Sequence, residues 1–318
     1  MIDKRTPNHS SSFSDTAFKQ QKLPAWQPIL TAGSVLPLFF VVGVAFISIG
    51  VGLWFTSQKV KEFQYDYTDC KPVGVNETCA SRIENKPVEN CVCEITVKGN
   101  ELTQEGGDWV GPVYMYYGLD NFYQNHRRYV KSRDDAQLVG QLDETPSADC
   151  GDFMYGTGSD SCKKKDDANC KTIVPCGAIA NSLFSDVITM SVKVDNQEKR
   201  DVKLIKKGIA WPSDKQYKFK NPGNCDTKDC LCKEFEKYAK PTEWKKKLCE
   251  LDEDDIENNG LQNEDLIVWM RTAALPNFRK LYRRLDLQLV DDGGKSVLND
   301  KLVASEDYLY TFKIDYSK

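Results

Sequence analysis

From Leu23 to Gln58 the chain carries no charged residue, and Lys22 and Lys59 bracket the run. Its most apolar part, 35–55, is 21 residues long. At about 1.5 Å per residue this matches a hydrocarbon core of about 30 Å. Such a run folds as a helix across a bilayer, because only a helix satisfies all its own amides away from water. Trp26 and Trp54 suit the two interfaces. A cleaved signal peptide has a shorter apolar region that begins closer to Met1. The expected organisation is a cytosolic tail over 1–28, a transmembrane helix over 29–56 and a lumenal or extracellular domain over 57–318.

Three features orient the span. Lys4, Arg5, Lys19 and Lys22 precede it, whereas only Lys59 and Lys61 follow closely, so the N-terminus is expected in the cytosol. All twelve cysteines (Cys70, Cys79, Cys91, Cys93, Cys150, Cys162, Cys170, Cys176, Cys225, Cys230, Cys232 and Cys249) lie after the span. An even number on one side fits an oxidising compartment. Asn76-Glu77-Thr78 is a glycosylation acceptor on that same side, whereas Asn8-His9-Ser10 falls on the cytosolic one. After the span the longest uncharged run, 172–185, is 14 residues and holds Pro175, so no second anchor is expected within the chain.

The domain reads as a disulfide-stapled α+β structure, antiparallel and β-sandwich-like with helical insertions. Residues 308–316 alternate, with Tyr308, Tyr310, Phe312, Ile314 and Tyr316 on one face. Strands are also expected over 186–194, 285–290 and 110–117, and helices over 121–130 and 263–274. The second helix has Asn263 as its cap and Pro276 beyond its end. Cys91 and Cys93 project from one face of a strand, so both can reach a neighbouring segment. Cys70 and Cys79 are the nearest upstream candidates. A nested pairing, Cys70 with Cys93 and Cys79 with Cys91, would contribute roughly 2–4 kcal/mol per bond. A zinc site is the competing reading, but the spacing is not paired C-x₂-C.

Enzymatic chemistry finds little purchase. A net charge of −4, with both signs mixed, gives no electrostatic case for nucleic acid. Only His9 and His126 are available as imidazoles, and no P-loop or G-x-G-x-x-G occurs. The acidic run 252–260 can be set on a calcium-loop template, but its twelfth position is Leu266 rather than a glutamate. Asp252 and Asp254 have the spacing of a metal–nucleotide pair in a type II lumenal glycosyltransferase, a remote alternative without other support. No catalytic residue, metal or cofactor is assigned.

Five segments resemble one family. They are Thr16-Ala-Phe-Lys-Gln-Gln-Lys-Leu-Pro-Ala-Trp-Gln-Pro-Ile-Leu-Thr-Ala-Gly33; Gly111-Pro-Val-Tyr-Met-Tyr-Tyr-Gly-Leu-Asp-Asn-Phe-Tyr-Gln-Asn-His-Arg-Arg-Tyr-Val-Lys-Ser-Arg-Asp-Asp135; Pro175-Cys-Gly-Ala-Ile-Ala-Asn-Ser-Leu-Phe184; Gly208-Ile-Ala-Trp211; and Asn263-Glu-Asp-Leu-Ile-Val-Trp-Met-Arg-Thr-Ala-Ala-Leu-Pro-Asn-Phe-Arg-Lys-Leu-Tyr-Arg283. They resemble the accessory β-subunits of type-IV P-type ATPases, the phospholipid flippases (the Cdc-fifty/Lem-three family). The resemblance implies a non-catalytic subunit that forms a heterodimer with the ten-helix ATPase. It is implied to be needed for folding and exit from the endoplasmic reticulum, and to support lipid translocation between leaflets. The implied location is the endoplasmic reticulum, Golgi, endosomal or plasma membrane.

The resemblance also implies disulfides at Cys70, Cys79, Cys91 and Cys93, and one from Cys176 to an upstream partner. That partner is best placed at Cys162, although Cys150 or Cys170 could substitute. Pairing within Cys225, Cys230, Cys232 and Cys249 is left open. The family has a second span after its last strand, whereas this chain stops at Lys318. A truncated isoform acting as a regulator, a retained fragment or a single-span variant are therefore the readings of that end. Partner contacts are expected at Lys19, Lys22 and Trp26 along the cytosolic interface, and at His126, Arg127 and Arg128. Among the neighbouring aromatics Tyr114, Tyr116, Tyr117, Phe122 and Tyr123, the tyrosines at strand spacing are expected in the domain core.

Overall fold

The computed structural model describes residues 16–19, 21–24, 31–85, 91–103, 107–142, 145–157, 160, 162, 170–195, 197–223, 225–289, 297–298 and 300–316. The chain divides into two compact units, Met1–Lys61 and Glu62–Lys318.

In the first unit the apolar run forms one helix, Ala32–Ser57, with no buried residue along it. By length and composition it can cross a membrane. The few polar side chains in it turn back on its own carbonyls. Ser48 Oγ donates to Val44 O at 2.9 Å and Thr56 Oγ1 to Gly52 O at 2.9 Å. Hydroxyls satisfied this way present little polarity to lipid. The expected span began at residue 29, and residues 29 and 30 lie outside those described.

The second unit is β-rich. Its strands in chain order are β1 (Cys91–Lys98), β2 (Trp109–Val110), β3 (Tyr114–Leu119), β4 (Tyr155–Gly156), β5 (Lys171–Thr172), β6 (Val187–Val194), β7 (Arg200–Ile205), β8 (Phe278–Asp286), β9 (Lys301–Leu302) and β10 (Tyr308–Tyr316). Six form one antiparallel sheet in the order β1-β10-β6-β7-β8-β3. The sheet changes hands at β7. Arg200, Asp201 and Val202 pair with β6, and Lys203, Leu204 and Ile205 pair with β8. One strand thus serves two leaves, as at the corner of a sandwich. Tyr282 of β8 closes the leaves by accepting the Ile188 amide of β6 at 3.0 Å.

Several boundaries differ from those read in the sequence. The strand expected over 285–290 lies earlier, as β8, which pairs with β3 over 278–284 and with β7 over 284–286. The helix expected over 121–130 is only Arg127–Lys131. Asn121 has φ +58°, and the amides of Asn121 and Phe122 donate to Asn277 and Pro276, which draws the start of this segment to the 273–277 loop and delays the helix. The later helix is Glu264–Met270, capped by Asn263, whose side chain accepts the Leu266 amide at 3.1 Å.

All twelve cysteines are bridged. Cys70 joins Cys93 and Cys79 joins Cys91, so that the β1 thiols receive the segment entering the domain in nested order. Cys225 joins Cys230 and Cys232 joins Cys249. The placement of Cys162 as partner of Cys176 is corrected. Cys176 bonds Cys150, and Cys162 bonds Cys170. The β4–β5 ribbon explains this. It brings Tyr155 against Thr172, and the Cys162 amide donates to Tyr155 O at 3.0 Å, which sets Cys162 beside Cys170. Cys150, fully buried, meets Cys176 with Ile173 and Ala239 in a small separate core. Sequence separation carried no such signal, since closure entropy varies only slowly with loop length.

The main core centres on Trp269. Its indole donates to Ile179 O at 2.7 Å, as Trp244 does to Ala180 O at 2.7 Å. Both carbonyls belong to the short helix Ala178–Asn181, entered through Gly177 at φ +105°. A Cβ at Gly177 would lie 2.1 Å from Ser132 O, so only glycine fits.

Two cations of β8 hold the Glu264–Met270 helix. Lys280 is buried and donates to the carbonyls of Val268, Trp269 and Arg271 at 3.0, 2.7 and 2.7 Å. These include the last carbonyls of the helix, where a cation is favoured. Arg283 forms a two-pronged pair with Asp265 in its first turn.

Cys162→Ser should leave the Cys150–Cys176 bond intact and free only Cys170, read by peptide mapping without reduction. Cys150→Ser should instead free Cys176 and cost about 2–5 kcal/mol. Burial pushes the Lys280 ammonium down to about 7, against about 10.4 in an unfolded chain. Between those values the unfolded chain binds the proton that the native one releases, so stability from this group rises with pH. The slope is up to about 1.4 kcal/mol per pH unit. Urea unfolding at pH 7.5 and 9.5 should show that rise, and Lys280→Met should lack it.

Candidate partner-binding surface

The turn before the Arg127–Lys131 helix is built on the loop that follows Met270. Phe122 N donates to Pro276 O at 3.0 Å, and Asn125 Nδ2 donates to Ala274 O at 2.9 Å. The Ala273 amide donates to the buried Gln124 Oε1 at 2.9 Å. Two loops poor in regular structure thereby fix each other. At the end of the turn His126 Nδ1 accepts the Arg128 amide at 3.3 Å and caps the helix. His126, Arg127 and Arg128 are all exposed. Among the described residues no ion pair is formed by Arg127 or Arg128.

The aromatics divide by strand alternation. Tyr117 is buried and stacks on Phe184 at 3.9 Å, with Trp269 and Tyr282 at 6.4 and 6.3 Å. Phe122 packs edge-on to Trp269 at 5.7 Å. Tyr114, Tyr116 and Tyr123 are 46, 49 and 58% exposed. The expectation that the strand tyrosines share the core therefore holds for Tyr117 alone. β3 lies at the sheet edge with Tyr114 and Tyr116 on its outer side, and a register shift falls between Met115 and Tyr116. Arg279 of β8 covers the Tyr116 ring at 5.5 Å.

Lys19 and Lys22 lie in the first unit, exposed, in a turn where Lys22 N donates to Ala17 O at 2.8 Å. Trp26 falls outside the described residues. Asn76 is exposed on the entry segment, and Thr78 of its acceptor caps the helix Cys79–Asn85 through a 3.3 Å bond from Ser81 N.

The surface that sequence reasoning missed is the one around Trp211. Glu264 is buried, accepts the amides of Ile209 and Ala210 at 2.8 and 3.0 Å, and pairs with Lys215 at 2.9 Å. Burial works to raise its pKa, but those amides and the Lys215 ammonium outweigh it and hold the carboxylate low. Asp214, also buried, behaves alike between Lys218 and Arg271. The only sequence signal was the short Gly208-Ile-Ala-Trp211 stretch.

The acidic run serves the fold. Asp252 is buried, accepts from Asn258 Nδ2 at 2.7 Å and pairs with Lys206 at 3.2 Å. Asp255 caps the 3₁₀ turn Ile256–Asn258 and pairs with Lys207 at 2.5 Å. Among the described residues no group of three or more His, Cys, Asp or Glu side chains is placed to hold a metal ion.

Replacing both Arg127 and Arg128 by alanine should change unfolding stability by less than about 0.5 kcal/mol, because their side chains bond to nothing among the described residues. A larger loss would give them a structural role.

The family model described as LEM3 (ligand-effect modulator 3) family / CDC50 family matches residues 53–314. Mouse cell cycle control protein 50A is 46% identical over 276 residues, which cover 86% of this chain and 69% of that protein. Human cell cycle control protein 50B is 43% identical over 275 residues, 85% of this chain and 73% of its own. ALA-interacting subunit 3 of Arabidopsis thaliana is 39% identical over 282 residues, 86% of this chain and 67% of its own. The matched region begins within the apolar helix and ends in β10, so it takes in the whole stapled domain. By this match and these identities the chain belongs to the LEM3/CDC50 family, the accessory β-subunit family of the phospholipid flippases.

Proposed function

We propose that this chain is the non-catalytic subunit of a type-IV P-type ATPase, forming a heterodimer with its catalytic chain. In this reading it serves the folding of that chain, its export from the endoplasmic reticulum and the movement of phospholipid between leaflets. The observation that carries the reading is the family match over residues 53–314, joined by a relative whose name is ALA-interacting subunit.

The physical features agree with such a role. A helix able to cross a membrane tethers a large domain whose six disulfides need an oxidising compartment to form. The domain then lies outside the cytosol and the N-terminal tail inside it, with Asn76 carrying a glycan. Lys19, Lys22 and Trp26 lie at the cytosolic interface, where cations meet anionic headgroups and an indole sits at headgroup depth. His126, Arg127 and Arg128 face the partner, since exposed arginine beside exposed tyrosine is the composition of interface cores.

The test is co-purification of the 318-residue chain with a flippase catalytic subunit, with maturation of the Asn76 glycan as the readout of export. Recovery of the ATPase with a mature glycan is expected, and Asn76→Gln should abolish the glycan shift. Lys19→Glu with Lys22→Glu should reduce recovery. Absence of the ATPase from a folded, fully oxidised chain overturns the proposal.

A further inference from the structure

Trp211 is 63% exposed, an uncommon setting for the largest apolar side chain, and it is held rigidly. The Arg271 guanidinium lies over its ring at 5.0 Å. Arg271 is itself fixed by two bonds to Asp214, at 3.1 and 2.8 Å. Asp214 is 4% exposed and also holds Lys218 at 2.7 Å. On the other side the buried Glu264 binds the Ile209 and Ala210 amides, and Pro212 sets the backbone at the first position of the next helix. Two buried carboxylates therefore immobilise a loop whose most prominent side chain points into solvent. The core would be better served by carboxylates left outside and an indole turned in.

A pre-ordered aromatic loses little entropy on docking, which is what makes Trp an efficient interface anchor. The surroundings define what it fits. Arg271 and Lys218 keep 51 and 67% of their side chains exposed, and Lys220 is exposed beside them. The anchor is apolar and its rim is cationic. It also continues the surface already described. Arg271 leads into Ala273 and Ala274, which bind Gln124 and Asn125, which lead into His126, Arg127 and Arg128.

We infer that Trp211 is the anchor of a protein–protein contact, seating in an apolar recess rimmed by carboxylates on the extracytoplasmic side of the catalytic ATPase subunit. This rests on the subunit reading above and adds to it the residue that holds the contact. A bilayer surface is disfavoured, because partitioning of an indole into headgroups needs no such rigid mount.

The experiment co-expresses the full chain with the catalytic subunit and measures ATPase recovered per oxidised chain. Trp211→Ala should reduce recovery on the order of ten-fold, as expected for an interface anchor. Trp211→Phe should fall between, and Lys220→Glu, which spares the Lys218–Asp214 pair, should also reduce recovery and make what remains less sensitive to salt. Disulfide mapping and the Asn76 glycan report folding. If Trp211→Ala misfolds, the phenylalanine and glutamate variants decide. Full recovery with folded Trp211→Ala overturns this inference and leaves the subunit reading standing. No recovery with the unaltered chain overturns both. The third arm places the chain alone in vesicles of brominated phosphatidylcholine. A quenched component that disappears in Trp211→Phe would put the indole in lipid and overturn the protein contact.

Discussion

The second unit, Glu62–Lys318, depends on how Trp269 is held. Its indole bonds the Ala178–Asn181 helix, its ring packs with Phe122 and Tyr117, and the Lys280 ammonium lies 4.9 Å from it. Lys280 in turn carries three carbonyls around the end of the Glu264–Met270 helix. A buried ammonium without a carboxylate is costly, which is why its pKa falls, and three carbonyl acceptors matched to its three hydrogens offset part of that cost. Removing it would orphan all three at once, which makes this lysine structural although it is a charged residue in a strand. Three segments far apart in sequence, 111–135, 175–184 and 263–283, meet around this one ring.

The sheet and the disulfides divide the remaining work. β7 joins two leaves by giving half its length to each, and the Tyr282 hydroxyl links them across the interior. The disulfides lie mostly where pairing is short or lacking, at the entry before β1, at the two-residue ribbon β4–β5, and around the helix Lys228–Phe235. A loop-rich domain gains most from such crosslinks, since they restrict the unfolded chain rather than adding contacts to the folded one.

Cations play two separate roles in this unit. Lys280 and Arg283 are buried and spend their hydrogen bonds on the fold. Arg127, Arg128 and Arg271 keep theirs at the surface beside exposed aromatics. The buried set keeps the loop after Met270 in place, and that loop supports both the turn before Arg127 and the guanidinium under Trp211. On the reading proposed above, such a surface gains from being ordered before contact, because ordering it during binding would subtract from affinity.

The sequence by itself determined the features that depend on composition and local spacing. The uncharged run demanded an apolar helix long enough to cross a membrane, and Ala32–Ser57 follows that run closely. Alternation located β10, β6 and β1, and Asn263 announced its cap, because period and capping are local properties. Five quoted segments were sufficient to place the family. The tertiary structure alone decided the rest. Which of Cys150, Cys162 and Cys170 meets Cys176 depends on a two-residue ribbon too short to read. Whether Tyr116 or Tyr117 turns inward depends on an irregular register with β8. That Lys280 is buried while Arg127 is exposed depends on where a distant helix ends, since a charge is affordable inside only where carbonyls from elsewhere in the chain converge on it.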